Sequence, residues 1–155
     1  LMKKINTRFI TRTALIAAIY AALTYAFAWM SYGQVQFRVA EILVLFAFIE
    51  PKYGLGLILG CVLANIGSPL GEIDVVVVRK TLGFGKKSLL IASLGPVISN
   101  ALFVGAELTY LFQTPFIWNA IYVAIGEIIV VTIAGTAVVT AVMKNNNLVE
   151  KLYIN

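Results

Sequence analysis

The chain has 155 residues, of which 61% are hydrophobic and only 12% charged, with twelve Lys and Arg against seven Asp and Glu. Soluble domains average about 45–50% apolar and about 25% charged residues, so this composition excludes a soluble globular domain and leaves no mass for one beside a membrane body. A single Cys and no His argue against a disulfide scaffold or a Cys/His zinc centre.

Apolar runs and their interruptions predict the elements in chain order. A first span covers about residues 9–30, and shorter spans cover 37–49 and 54–66. A brief apolar stub follows at 73–78, and then two long runs at 89–112 and 116–143. A helical crossing takes about 20 residues at 1.5 Å each. The first run and the last two meet that length. The second and third do so only if tilted into a bundle or ended at a watery cavity. The stub reaches only about 9 Å as a helix against about 30 Å of hydrocarbon. It cannot cross, and about a dozen residues of a fourth span are expected to be missing from this sequence. The N-terminal basic start, apolar stretch and Ala26-Phe27-Ala28 also fit a secretory signal. The spans that follow favour an uncleaved first helix instead.

Loop charge orients the spans, because cytoplasmic flanks collect Lys and Arg. Lys3, Lys4, Arg8 and Arg12 precede the first span, Lys52 sits in the turn between the second and third, and "RKTLGFGKK" carries Arg79, Lys80, Lys86 and Lys87. Lys144 and Lys151 close the chain, while "GSPLGEID" and "QTPFIWN" carry no basic residue. With six spans, every basic residue except Arg38 falls on the cytoplasmic side, together with both termini. Five spans would force either residues 79–87 or the C-terminus to the wrong side. The basic excess is therefore a topology signal rather than a nucleic-acid patch. The expectation is an all-α, multi-pass protein of the cell membrane, a single six-helix bundle whose fourth helix is incomplete here.

An ionisable group inside a span is costly and marks a site by default. On this topology Arg38 and Glu41 lie at the outer end of the second span, Asn65 at the outer end of the third, and Glu72 and Asp74 in the outer loop. Asn100 and Glu107 are one heptad apart on the fifth. Trp118 and Asn119 open the sixth, with Glu127 about 12 Å deeper. Most of these groups fall in the outer half of the membrane. That pattern predicts a pocket open to the exterior and closed from within, where a proton relay would string polar groups across the full thickness. The structural alternatives are an interfacial Arg38–Glu41 pair, a snorkelling Glu107, and interhelical glue at Asn65 and Asn100. Trp29, Tyr32 and Trp118 could equally form an aromatic belt.

Small-residue rows give a second signal. Ala14, Ala18 and Ala22 repeat every four residues on the first span, Ala17 and Ala21 form a parallel row, and Gly56, Gly60 and Ala64 do the same on the third. Such rows permit close helix approach; two on one helix leave room for an outside partner. No motor is encoded. "GFGKKS" lacks the GxxxxGK spacing and the preceding strand of a phosphate loop, and no HExxH is possible without His. The protein is not expected to be an enzyme.

The ordered motifs "QFRVAEIL", "GCVLANIGSPLGEIDVV", "SNALFVGAEL" and "WNAIYVAIGEIIVV" resemble the QueT family of queuosine-precursor transporters, over about residues 6–143. These look like the substrate-binding S components of energy-coupling factor (ECF) transporters, a class of ABC importer. The resemblance implies six helices, a substrate held near the outer face, a transmembrane coupling protein and two cytoplasmic ATPases. ATP would be bound by those partners and no cofactor by this chain. It also implies that an alanine-rich face of the first helix meets the coupling protein, and Ala14, Ala18 and Ala22 match that pattern. After Val78 this sequence departs from the family, which continues with a full apolar helix. The implied ligand is a 7-substituted deazaguanine. Glu107 or Glu127 could accept from its guanine-like edge in a bidentate fashion, and Arg38, Asn65 or Asn100 could donate to its acceptors. Glu41 or Asp74 would suit an aminomethyl cation, and Trp29, Tyr32, Trp118 or Tyr122 could stack on the ring.

Overall fold

The computed structural model describes residues 7–31, 37–64, 75 and 79–153. Among these residues the chain is helical, with no strand. Three helices are long and apolar enough to cross a membrane: α1 (Thr7–Ala26), α4 (Lys86–Phe112) and α5 (Phe116–Met143). Two shorter apolar helices, α2 (Val39–Ile49) and α3 (Tyr53–Ala64), complete the apolar set. A short surface helix, α6 (Asn146–Leu152), follows α5 and is started by the Asn145 side chain, which accepts from Leu148 N at 3.2 Å. The stub at 73–78 lies outside the described residues apart from Val75, which is helical and buried. Five apolar helices are thus described, and the six-span count rests on residues outside them.

α2 is the enclosed centre of the bundle. Val44, Leu45, Ala47, Phe48 and Ile49 are fully buried. A helix apolar on every side has no face to give to a solvent and is held among its neighbours; α1, α4 and α5 all pack on it. Its first seven residues, Val39–Leu45, wind as a 3₁₀ helix. At about 2.0 Å per residue this covers about 14 Å, roughly a third more than the same residues in an α-helix. The winding also eclipses positions three apart. Glu41 stands three residues after Arg38, which caps the element.

α1 and α3 run parallel and touch backbone to backbone. A Cβ added at Gly56 would lie 2.7 Å from the Thr13 carbonyl oxygen, and one at Gly60 2.8 Å from Tyr20 Cβ and 3.0 Å from the Ala17 oxygen. The buried face of α1 is Thr13, Ala17, Tyr20 and Thr24, spaced 4-3-4 as one face of an α-helix. The Tyr25 hydroxyl closes the far end by donating to the Leu63 carbonyl at 3.0 Å.

α4 and α5 form an antiparallel hairpin turned by Gln113, Thr114 and Pro115. Gln113 adopts the left-handed conformation (φ 54°) and ends α4; Pro115 caps α5. At Gly105 an added Cβ would stand 3.0 Å from Ala120 Cα, so the missing side chain sets how closely the two helices approach. Just after Glu127, residues Ile128–Gly135 of α5 take the wider π winding. Gly135 there abuts Leu45 of α2.

Arg12 and Arg79 lie at one end of this bundle. Arg12 Nη1 donates to the carbonyls of Leu152 (3.2 Å) and Tyr153 (2.8 Å), and the Tyr53 hydroxyl donates to the Leu152 carbonyl. Arg79 Nε donates to the Phe48 carbonyl at 3.0 Å, and its guanidinium lies over the Phe48 and Phe84 rings at 5.7 and 4.8 Å. These contacts bring the start of α1, the 50–53 turn, residues 79–87 and the chain end together.

Candidate functional site

Four helices each bring polar side chains to one point inside the bundle. Tyr20 comes from α1, Arg38 and Glu41 from the start of α2, Asn100 from α4 and Glu127 from α5. Each is at most 3% exposed, in a chain whose outer faces are lined with Leu, Ile and Phe. The Tyr20 hydroxyl donates to Glu41 Oε1 at 2.5 Å, and Asn100 Nδ2 donates to Glu127 Oε1 at 3.2 Å. Asn100 also lies beside Glu41, so it joins the two carboxylates. The Arg38 guanidinium feels the charge of both Glu41 and Glu127, and Cys61 of α3 stands near it.

The local structure explains why these residues converge. Tyr20 is on the α1 face that meets Gly60, where the absence of a side chain leaves room for the Tyr20 Cβ, and its hydroxyl reaches Glu41 of α2. The 3₁₀ turn keeps Glu41 in line with Arg38. Asn100 and Glu127 face each other because the hairpin is antiparallel and tight.

Two carboxylates and one guanidinium leave a formal charge of −1 among the described residues of the cluster when all are ionised. Burying unbalanced charge costs several kcal/mol. At the same time, Arg38 Nε and Nη1 are buried without a hydrogen-bond partner among the described residues. Buried donors are normally satisfied. The cluster therefore combines spare donors with a surplus of carboxylate oxygen, a combination suited to a small solute with both acceptors and a cationic or donor-rich edge.

Of the other residues expected at the site, Glu107, Trp118 and Trp29 are placed elsewhere. Glu107 shares a face with Asn100 but stands about 10 Å further along α4; it is half-buried, and none of the cluster's hydrogen bonds reaches it. Trp118 is 58% exposed and tilted against Tyr122 with ring centroids 6.4 Å apart. It precedes Glu127 by nine residues, which turns it about 180° around the helix, so it lies on the outer surface. Trp29 is more exposed still. Asn65, Asp74, Glu72 and Tyr32 lie outside the described residues.

The alanine rows separate. Ala14, Ala18 and Ala22 are exposed, whereas Ala17 is buried against Gly60 and Ala21 is half-buried. Ala17 was expected on the partner face; the close α1–α3 approach consumes it instead.

Two features escaped the sequence reading. Tyr20 is the hydroxyl nearest Glu41, and its 4-3-4 spacing with Thr13, Ala17 and Thr24 was the available signal. Asn119, beside Trp118 at the start of α5, ties the hairpin: its Nδ2 donates to Thr109 Oγ1 (2.9 Å) and Thr114 Oγ1 (2.8 Å).

Comparison with known proteins gives a consistent result. A family model described as "QueT transporter" matches residues 10–144. Over 120 residues the chain is 32% identical to "Queuosine precursor transporter QueT" of Lactococcus lactis subsp. cremoris. The alignment covers 76% of this chain and 61% of that relative, so the chain spans about three fifths of the relative's length. No solved structure matches.

Proposed function

The chain belongs to the QueT transporter family, and from that premise we propose that it is the substrate-binding membrane subunit of an ECF-type importer for a queuosine precursor. The substrate is a 7-substituted deazaguanine, captured from outside the cell. A transmembrane coupling protein and two ATPases then reorient the subunit, and the substrate is released inside. The basic end of the bundle, with both termini, is cytoplasmic, in line with the positive-inside rule. The exposed row Ala14, Ala18 and Ala22 offers the coupling protein a flat surface.

The observation that carries this reading is the buried cluster of Tyr20, Arg38, Glu41, Asn100 and Glu127. A guanine-like edge presents adjacent N–H donors, which one carboxylate accepts together; Glu127 fills that role. The spare Arg38 donors meet the ring carbonyl. Glu41 then balances a substrate cation, which favours the aminomethyl precursor over the uncharged nitrile. Asn65 and Asp74 are further candidates from the third span and the loop after it.

The test is thermal stabilisation of the purified subunit across deazaguanines, guanine and unrelated vitamins. A ligand at 100 times its dissociation constant adds about 2.7 kcal/mol. Stabilisation by the aminomethyl compound that is lost in Glu127→Gln supports the assignment; no response to any deazaguanine refutes it. Two carboxylates in one buried cluster also suit a solitary proton-coupled carrier. Uptake that survives deletion of the ATPases would select that reading.

A further inference from the structure

A second site lies apart from the polar cluster, whose residues do not line it. A cleft of about 300 Å³ opens among α1, α2, the start of α3 at Tyr53, and α6. Leu15, Ile16, Leu43 and Phe46 wall it, and Arg12 and Lys151 are its charged lining residues. Leu15 is 56% exposed, so the cleft reaches the outer surface of the bundle. No carboxylate lines it among the described residues. Both partners of Arg12 Nη1 are neutral carbonyls, at Leu152 and Tyr153. They hold the guanidinium in place and tie α6 across the cleft without cancelling its charge.

We propose that this cleft binds one anionic phospholipid of the leaflet at the basic end, with an acyl chain along Leu15, Ile16, Leu43 and Phe46 and the phosphate between Arg12 and Lys151. Two cations at the mouth of an apolar slot, Arg12 held by the carbonyls and Lys151 exposed beside it, complement this ligand in both charge and polarity. Basic pockets between membrane helices recognise anionic headgroups in this way, at about 1 kcal/mol per cation near the surface. A zwitterionic lipid gains the same apolar contact but brings its own cation to the pair. Bound lipid would brace α6 against α1 and α2. This site is independent of the substrate assigned above.

The experiment is native mass spectrometry of the detergent-purified chain titrated with phosphatidylglycerol, phosphatidylcholine or inorganic phosphate. One phosphatidylglycerol is expected to be retained saturably, and more tightly than phosphatidylcholine. Lys151→Gln, at an exposed position, should weaken it about fivefold. Leu15→Trp, which fills the slot, should abolish it. Equal retention of the two lipids, or phosphatidylglycerol binding unchanged in Lys151→Gln, overturns the proposal. So does binding of inorganic phosphate with no preference for the lipid. Because Lys151 makes no hydrogen bond among the described residues, that variant decides the matter even if Leu15→Trp folds poorly.

Discussion

Replacing Gly60 with Ala tests how packing controls the candidate site. The added Cβ would stand 2.8 Å from Tyr20 Cβ and about as close to the backbone of Ala17, at 3.0 Å from its oxygen and 3.1 Å from its Cα. Ordinary contacts between such atoms begin near 3.5 Å. Rotating a side chain cannot relieve a clash with backbone or with a Cβ, so α1 and α3 must separate by several tenths of an ångström. Overpacking of this kind costs about 1–3 kcal/mol, and each kcal/mol lowers the melting midpoint of a chain this size by about 2–4 °C. The same displacement carries Tyr20 away from Glu41 and lengthens a bond that now measures 2.5 Å. Stability and ligand affinity should therefore fall together. The assay is a thermal melt of the purified protein followed by deazaguanine titration. Val62→Ala serves as the control, because Val62 is on the same helix and 57% exposed; its effect should stay within about 0.5 kcal/mol. A Gly60→Ala protein as stable as the Val62→Ala control, or less stable but with unchanged affinity, would refute the reasoning.

Three further outcomes are expected. Tyr20→Phe removes a hydroxyl bonded to a buried carboxylate and should cost about 1.5–3 kcal/mol in chemical denaturation, falling to about 0.5–1.5 kcal/mol if Glu41 is already Gln, which keeps the acceptor but not the charge. Arg38→Met should destabilise by about 3–5 kcal/mol, because the carboxylates lose their buried counter-charge; adding Glu41→Met should recover most of that stability but none of the substrate binding in a titration. Asn119→Ala cuts both threonine bonds at the α4–α5 turn and should lower the melting midpoint, at about 1–3 kcal/mol, while ligand affinity measured well below that variant's midpoint stays unchanged.

Some of the polar residues that stand out in the sequence are brought together by the fold and others are kept apart, for a definite reason. Arg38, Glu41, Asn100 and Glu127 stood out because each is polar within an apolar run, and burial makes such groups costly. Glu107 satisfies the same criterion, and Trp118 stands out as an aromatic face for a flat ring. What separates them from the cluster is height and rotation along their helices: Glu107 is about 10 Å up α4, and Trp118 is on the far side of α5 from Glu127. Tyr20 was passed over because a tyrosine in an alanine-rich span reads as filler until the Gly60 contact directs its ring to Glu41. The two alanine rows looked equivalent in the sequence, and only the packing of α3 chose which was covered.

Length and hydropathy are sums along the chain, so the sequence by itself determined the membrane class, the long spans and the end where basic charge collects. Convergence is not such a sum. Which polar groups meet depends on how each helix is rotated and how closely it packs, and here the bare glycines, the 3₁₀ start of α2 and the π winding after Glu127 set both. Tertiary structure alone therefore decided that four helices bring their polar side chains to one buried point, while an alanine row and an apolar cleft remain on the outside.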